Sequence, residues 1–482
     1  MGYATVLSIV GWLLLAWAAA MVLPVLVAVN YAEAGAAGAF AAAALLTGFA
    51  GGILVIATRG VGRRVSRREA FLLAVVAWVV LPAFGALPFS FTGVAPSPTD
   101  AYFEALSGLT TTGASVLGDP AALPRSILFW RALSQWIGGL GTIMLALAML
   151  SLLGVGGMQL YRSALPRGER DTLELRLLEA SRSIWWIYAL LTALCAVLLW
   201  AAGMTPFDAL CHALSTLSTG GFSSGAGALV PTRSPLVEAV LVVFMLAGAM
   251  NFTLLWALFH GHPRPLREDP ELRYLLGVAA FAAATISAVL LLAHAGAGES
   301  LRLGIFSAVS MLTTTGFLAE EAGAWPAALP VLFLALMMMG GSTGSTAGGL
   351  KLMRVALMLK EGWRELGRLA YPHGVVRLHY ARQAIADSDL GTVWGFIIVY
   401  LLCFVLVSLG LAWFGLDLRT ALAASGAALS NTGPGIAMVT GDGAGYAAMP
   451  VGAKWLVALA MLLGRLELFT LLALLSPGFW RH

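Results

Sequence analysis

Four short stretches of this 482-residue chain repeat one arrangement of small polar residues and glycine. The first reads Ser107-Gly108-Leu109-Thr110-Thr111-Thr112-Gly113-Ala114 and the second Ser215-Thr216-Leu217-Ser218-Thr219-Gly220-Gly221-Phe222. The third is Ser310-Met311-Leu312-Thr313-Thr314-Thr315-Gly316-Phe317, and the fourth Ala427-Ala428-Leu429-Ser430-Asn431-Thr432-Gly433-Pro434. Each has Leu, then three small polar positions with Gly220 as the exception, then Gly. A dehydrated cation such as K⁺ needs a ring of oxygens to replace its water. Backbone carbonyls supply the ring when the chain is extended and its carbonyls face one axis. Gly allows the φ values this demands. Thr and Ser hydroxyls either add oxygens or hold the turn from behind. One such stretch is a weak signal, but four at spacings of 108, 95 and 117 residues point to a structural unit used four times around a pore. The candidate ion-binding residues are therefore 110–113, 218–221, 313–316 and 430–433.

The elements that must hold these turns follow from composition. Hydrophobic residues make up 60% of the chain and charged ones 11%, against roughly 25% in a soluble domain. Mean hydropathy is +0.88. No soluble core absorbs that much apolar surface. The chain reads as an all-α polytopic membrane protein with ten full spans near 5–29, 38–57, 70–92, 126–153, 183–203, 235–260, 272–296, 325–360, 389–414 and 450–475. No Lys or Arg precedes the first span, so a cleaved signal peptide is not expected. Segments 58–69, 160–182, 262–273, 351–382 and 481–482 hold 21 of the 28 Lys and Arg, all on one side of a ten-span chain. That side is predicted cytoplasmic, with both termini inside. The basic pI thus reflects topology and not nucleic-acid binding. On the opposite side, 99–109, 207–217, 302–312 and 418–429 are apolar but too short to cross, and read as re-entrant half-helices. Their partly negative C-terminal ends point toward the ion path. Asp100 and Asp208, 13 residues before Gly113 and Gly221, are placed to cap their first amides. The predicted organisation is two extra spans in 1–60 and four span, half-helix, span repeats in 61–160, 161–262, 263–362 and 363–482.

The eighth span contains Gly340-Gly341-Ser342-Thr343-Gly344-Ser345-Thr346-Ala347-Gly348-Gly349, followed by Leu350-Lys351, and cannot be a stable helix interior there. Irregular backbone in a span belongs against protein or a wet cavity, so residues 340–349 read as a gating loop. Arg465, about fifteen residues into the last span with Glu467 nearby, faces the interior or a water-filled path, or is paired with Glu467 or a backbone carbonyl to fix helix packing, and these readings do not exclude one another. Glu104 and His212, each nine residues before its filter Gly, are expected to brace the half-helices, and Asn251 to bond broken backbone in span six. Cys195, Cys211 and Cys403 lie in apolar helices and form no metal or disulfide pattern. An intramembrane enzyme would need a nucleophile with its base or a metal cluster, and neither HExxH nor GxSxG with a suitable His is present. Inverted repeats of a rocking transporter would enter the membrane in opposite senses, whereas these four share one sense.

These residues resemble the superfamily of K⁺ transporters that includes TrkH, KtrB and plant and fungal relatives. The stretch Trp130-Arg131-Ala132-Leu133-Ser134-Gln135-Trp136-Ile137-Gly138-Gly139-Leu140-Gly141 looks like the family's segment after the first filter. Phe207-Asp208-Ala209-Leu210-Cys211-His212-Ala213 is similar to its second pore helix, Asn431-Thr432-Gly433-Pro434-Gly435 to its fourth filter, and Gly464-Arg465-Leu466-Glu467-Leu468-Phe469-Thr470-Leu471-Leu472 to its last span. The two leading spans point to the TrkH branch over the shorter KtrB branch. The resemblance implies K⁺ uptake across a bacterial inner membrane, a homodimer, and a TrkA-like cytosolic nucleotide-binding ring docked on the basic loops 58–69, 160–182 and 351–382. It also implies that the intramembrane loop gates the pore and that Arg465 lines it. Some relatives carry Ser at the first filter glycine and admit Na⁺, so Gly at all four positions favours K⁺. Passive flux and H⁺- or Na⁺-coupled symport both fit the sequence.

Overall fold

The computed structural model describes residues 3–60, 65–152, 173–225, 234–293, 296–319, 325–326, 328–371, 378–380, 383–385, 387–434 and 445–480. It is helical apart from a two-residue antiparallel pair, His379–Tyr380 with Gln383–Ala384. Two helices lead, Tyr3–Asn30 and Ala34–Ala57, packed side by side. Leu26, Leu45, Phe49 and Ile56 stand fully outward from them, an apolar exterior that suits lipid and not water.

Four units follow. The first is Arg67–Gly85 continued by Leu87–Phe91, the half-helix Pro98–Leu109, and Arg125–Leu152. The second is Leu173–Ala201, the half-helix Pro206–Leu217, and Pro235–Ala249 with Phe252–Phe259. The third is Pro270–Leu292, the half-helix Ala297–Leu312, and Leu329–Met339 with Leu352–Ala370. The fourth is Asp387–Trp413, the half-helix Leu418–Leu429, and Val451–Arg465 with Phe469–Leu475. Each half-helix packs against both spans of its own unit and against the second span of the unit before it. For the first half-helix that preceding span is Val451–Arg465 of the fourth unit, so the units close into a ring. The fold is an all-α polytopic bundle of four such units with pseudo-fourfold arrangement.

Two expectations change. The sequence marks span eight as broken and, at Asn251 alone, hints at a break in span six, whereas the structure breaks span ten as well. Span six bends by 104° between Ala249 and Phe252, and span ten by 112° between Arg465 and Phe469. Among the described residues six helices are long and apolar enough to cross a bilayer unbroken, or eight if each bent pair is one span. The breaks keep an apolar composition, so hydropathy does not register them. Asn251 marks the first one, accepting from the Thr253 amide at 2.9 Å as the N-cap of the resumed helix. At the second, Glu467 and Leu468 take positive φ values of 52° and 34°.

The second change concerns the half-helix starts. Ser97 and Thr205 are the N-caps, accepting from the amides of Asp100 at 3.2 Å and Asp208 at 3.1 Å. The two carboxylates stand three residues inside and take the cap hydroxyls at 2.7 Å. Asp100 also receives Lys454 Nζ at 2.6 Å, tying the fourth unit to the first. Part of the predicted docking surface (61–64, 160–172, 372–377 and 381–382) lies outside the described residues, as does Gly435.

Candidate functional site

All four polar turns follow directly on the last residue of a half-helix and are buried. Their amides return to the helix they leave. Thr112, Gly220, Thr315 and Thr432 donate to the carbonyls of Ser107, Ser215, Ser310 and Ala427 at 2.7–3.0 Å. The first hydroxyl of each turn does the same, from Thr110 to Leu106, Ser218 to Leu214, Thr313 to Val309 and Ser430 to Gly426, at 2.6–2.9 Å. In three units it also meets the third hydroxyl: Thr110 with Thr112 at 2.7 Å, Thr313 with Thr315 at 2.9 Å, and Ser430 with Thr432 at 3.1 Å. Of the two uses open to them, these hydroxyls take the one of holding the turn from behind. Among the described residues, most of the turns' backbone carbonyls are the oxygens left for other work.

The turns lie neighbour to neighbour. A Cβ on Gly113 would run into the Gly220 carbonyl oxygen, and one on Gly221 into that of Thr315. Asn431 Nδ2 donates to Thr112 Oγ1 at 3.0 Å, and the Gly433 amide to the Thr112 carbonyl at 2.6 Å. The second residue of every turn also has positive φ, namely Thr111 at 52°, Thr219 at 50°, Thr314 at 58° and Asn431 at 54°. This is costly for a β-branched residue and persists only where the surroundings enforce it. Sequence reasoning missed it, because Thr carries no signal of left-handed backbone.

The fourth turn departs from the others. Gly113, Gly221 and Gly316 have φ of 79°, 79° and 80°, and Gly433 does not share that region. Pro434 restricts the residue before it, and Tyr446 Oη donates to the Gly433 carbonyl at 3.1 Å. Glycine is needed there because a Cβ would collide with the backbone of Ala114.

Behind the first two turns sit the predicted braces. Glu104 accepts from Ser115 Oγ and the Val116 amide, both at 3.0 Å, and pairs with Arg131 Nε at 2.7 Å. The pair is fully buried, which is sustainable because its oxygens are bonded. The Arg131 guanidinium lies over the Phe222 ring at 4.1 Å, linking the first turn to the second. Its position on the basic-poor side was the available hint. His212 contacts the Asp208 carbonyl at 2.9 Å and Ser223 Oγ at 3.1 Å.

The glycine-rich loop lies directly against the turns. The Gly348 amide donates to Thr314 Oγ1 at 2.8 Å, and Thr219 Oγ1 to Thr346 Oγ1 at 3.3 Å. Gly348 abuts the Ser430 carbonyl so closely that a Cβ would overlap it. The break in span six receives the loop. The amides of Ser342 and Thr346 donate to the carbonyls of Ala249 and Gly248 at 2.9 and 3.2 Å, and the Phe252 amide donates to Gly344 at 3.2 Å. Glu271, at the start of span seven, accepts from both the amide and the hydroxyl of Thr343 at 2.9 Å. Ser345 Oγ donates to the Ser342 carbonyl at 2.6 Å, and the Leu352 amide to Gly341 at 3.0 Å. Gly340 and Gly349 pack together where the loop leaves and rejoins helix.

Arg465 is buried and donates through Nη1 to the Thr346 carbonyl at 2.8 Å. Its Nε and Nη2 have no protein partner among the described residues. Glu467 does not pair with it and instead binds Arg354 Nη2 at 2.7 Å. Lys351 Nζ donates to the Ala347 carbonyl. The three broken spans therefore converge on one point beneath the turns, with cationic side chains fastened to the loop.

Comparison with known proteins agrees with this architecture. A family model described as TrkH, cation transport protein, matches residues 37–478. The Trk system potassium uptake protein TrkH of Salmonella typhimurium is 40% identical over 490 residues, covering 100% of both chains. The protein of that name from Halomonas elongata is 40% identical over 482 residues, covering 99% of each. The crystal structure of the potassium transporter TrkH from Vibrio parahaemolyticus superposes with a TM-score of 0.91 at 38% identity over 100% of both chains. With these matches spanning its whole length, the chain belongs to the TrkH family of cation transport proteins.

Proposed function

We propose that this multi-pass membrane protein takes up K⁺ through the axis of its four-unit ring. As a member of a family of cation transporters it is not an enzyme. The observation that carries the reading is the set of four half-helices, each packed against a neighbouring unit and each ending in a buried turn whose amides largely return to its own half-helix. Among the described residues most of the turns' carbonyls, other than acceptors such as Thr112, Gly220 and Gly433, have no protein donor. In the proposed path K⁺ exchanges its water for oxygens of Thr110, Thr111, Thr112, Gly113 and their counterparts in the other turns. Helix C-terminal ends favour the cation there. The membrane potential drives it inward at about 2.3 kcal/mol per charge per 100 mV. The loop 340–349 blocks the way below, and Arg465 adds a fixed positive charge that repels cations from the blocked path.

The repeat boundaries at 61–160, 161–262, 263–362 and 363–482, the inner-membrane location with both termini cytoplasmic, the homodimer and the TrkA-like regulatory ring belong to the same proposal. The charge asymmetry supports the orientation, and the packing of each half-helix with its own spans supports the repeats. The relatives' names, which refer to a Trk system, are consistent with a multi-component assembly.

The test is ⁸⁶Rb⁺ uptake into proteoliposomes, with K⁺ or Na⁺ as competitor and with or without an imposed pH or Na⁺ gradient. Gly113→Ser is expected to weaken discrimination between K⁺ and Na⁺, and unchanged discrimination removes the filter assignment. Shortening 342–348 should raise uptake without the partner ring, and uptake that stays low removes the gate assignment.

A further inference from the structure

Gly220 breaks the fourfold pattern, because the other three turns have a threonine at this position. In those turns a hydroxyl pair, 110 with 112, 313 with 315 and 430 with 432, locks the third residue to the first. The second turn cannot form that pair, and Ser218 Oγ keeps only bonds of the kind the other turns also have, to the carbonyls of Leu214 and Ser215. Something else must hold residue 220.

The substitute comes from another unit. Gln135, fully buried in the span Arg125–Leu152, donates through Nε2 to the Gly220 carbonyl at 2.7 Å. Its Oε1 accepts from Ser215 Oγ at 2.6 Å and from the Phe222 amide at 3.2 Å. The Phe222 amide is only a donor, so it fixes which end of the Gln135 amide is oxygen and which is nitrogen. One side chain thus grips the half-helix, the carbonyl of the third position and the residue after the turn. A Cβ on Gly220 would fall on the Gln135 carboxamide itself. The missing side chain and the incoming one occupy the same space, which explains why the exception is glycine and not another small residue. An amide supplies donor and acceptor together without a change of protonation state, whereas an ionised Glu offers no donor and Leu offers neither.

We infer that Gln135 is the positioning residue of the second turn, setting the Gly220 carbonyl and hence the ring's discrimination between K⁺ and Na⁺. This rests on the filter reading above. Gln135 does not touch the ion in this scheme. It acts through a carbonyl that does.

The experiment is the ratio of K⁺ to Na⁺ competition against ⁸⁶Rb⁺ uptake in proteoliposomes, a ratio from which protein abundance cancels. Gln135→Leu keeps the bulk and removes every bond, and the ratio is expected to fall roughly tenfold, the worth of one buried hydrogen bond. The double variant Gln135→Ala with Gly220→Ser frees the space and returns a hydroxyl to the third position. It is expected to discriminate better than Gln135→Ala alone. A parental ratio in Gln135→Leu overturns the inference. Should that variant fail to accumulate, a double variant no better than Gln135→Ala overturns it instead. Gly113→Ser runs in parallel. If it shifts the ratio and Gln135→Leu does not, the filter stands and Gln135 has no such role. If neither shifts it, both readings fall.

Discussion

The four polar turns and the loop at 340–349 are both irregular backbone buried among apolar helices, yet they are held in opposite ways. A turn is fastened chiefly to its own half-helix by bonds reaching two to six residues along the chain, such as Thr112 to Ser107 and Thr110 to Leu106, with cross-unit ties such as Gln135 to Gly220 and Asn431 to Thr112 added to them. The loop has a few bonds of its own, but its fastenings to the rest of the protein come from far off, at Gly248, Glu271, Thr314 and Arg465. Local bonds form with the helix that carries them and persist as long as it does. Distant bonds can be released whenever one packed element shifts. In the proposed function this difference corresponds to a rigid ring above a releasable plug.

The contrast can be broken at several points. The largest expected effect is on the ring, where Gly221→Ala forces a Cβ into the Thr315 carbonyl at a φ of 79°. ⁸⁶Rb⁺ uptake should fall by about 100-fold, as expected when strain of a few kcal/mol meets a contact that cannot relax. Near-parental uptake would mean the turns are looser than their bonding indicates. Next is Arg465→Gln, which weakens the hold on Thr346 and removes a charge. Basal uptake by the chain reconstituted alone should rise about tenfold, the worth of a charge-assisted bond. A fall would make Arg465 structural.

Glu271→Ala releases both bonds to Thr343 and leaves the cations in place, so a smaller rise of about fivefold is expected. Its K⁺ to Na⁺ ratio sharpens the comparison, because a changed ratio would show that plug and ring are not separable. Smallest is Thr110→Val, which keeps shape and loses the hydroxyl bonds to Leu106 and Thr112. Discrimination should drop about twofold, the low end for a single hydrogen bond. A drop as large as the roughly tenfold one expected for Gln135→Leu would show that the hydroxyls contribute directly to the ion site.

Three half-helices are legible in the sequence almost to the residue. Short apolar runs at 99–109, 207–217 and 418–429 appear as Pro98–Leu109, Pro206–Leu217 and Leu418–Leu429. Proline or Asp at the start and the polar run at the end bound them clearly. The third starts earlier than expected, at Ala297, because the polar residues Glu299, Ser300 and Arg302 obscure its first turns. The partner of Arg465 was not legible. Pairing with Glu467 and bonding to a carbonyl were equally open, and the 112° break decides it by swinging Glu467 to Arg354.

The sequence by itself determined the class of the protein, its four units and the places where glycine interrupts helix, because hydropathy and glycine act within a window of about 20 residues. Its low charged fraction also narrowed the candidates inside the apolar mass to a few residues. Tertiary structure alone decided that spans six and ten bend toward the loop, that Gly433 is a close-contact glycine, and that Gln135 replaces the side chain absent at Gly220. Each of these depends on atoms from separate units meeting within hydrogen-bond or van der Waals distance, and no local pattern in the chain records such a meeting.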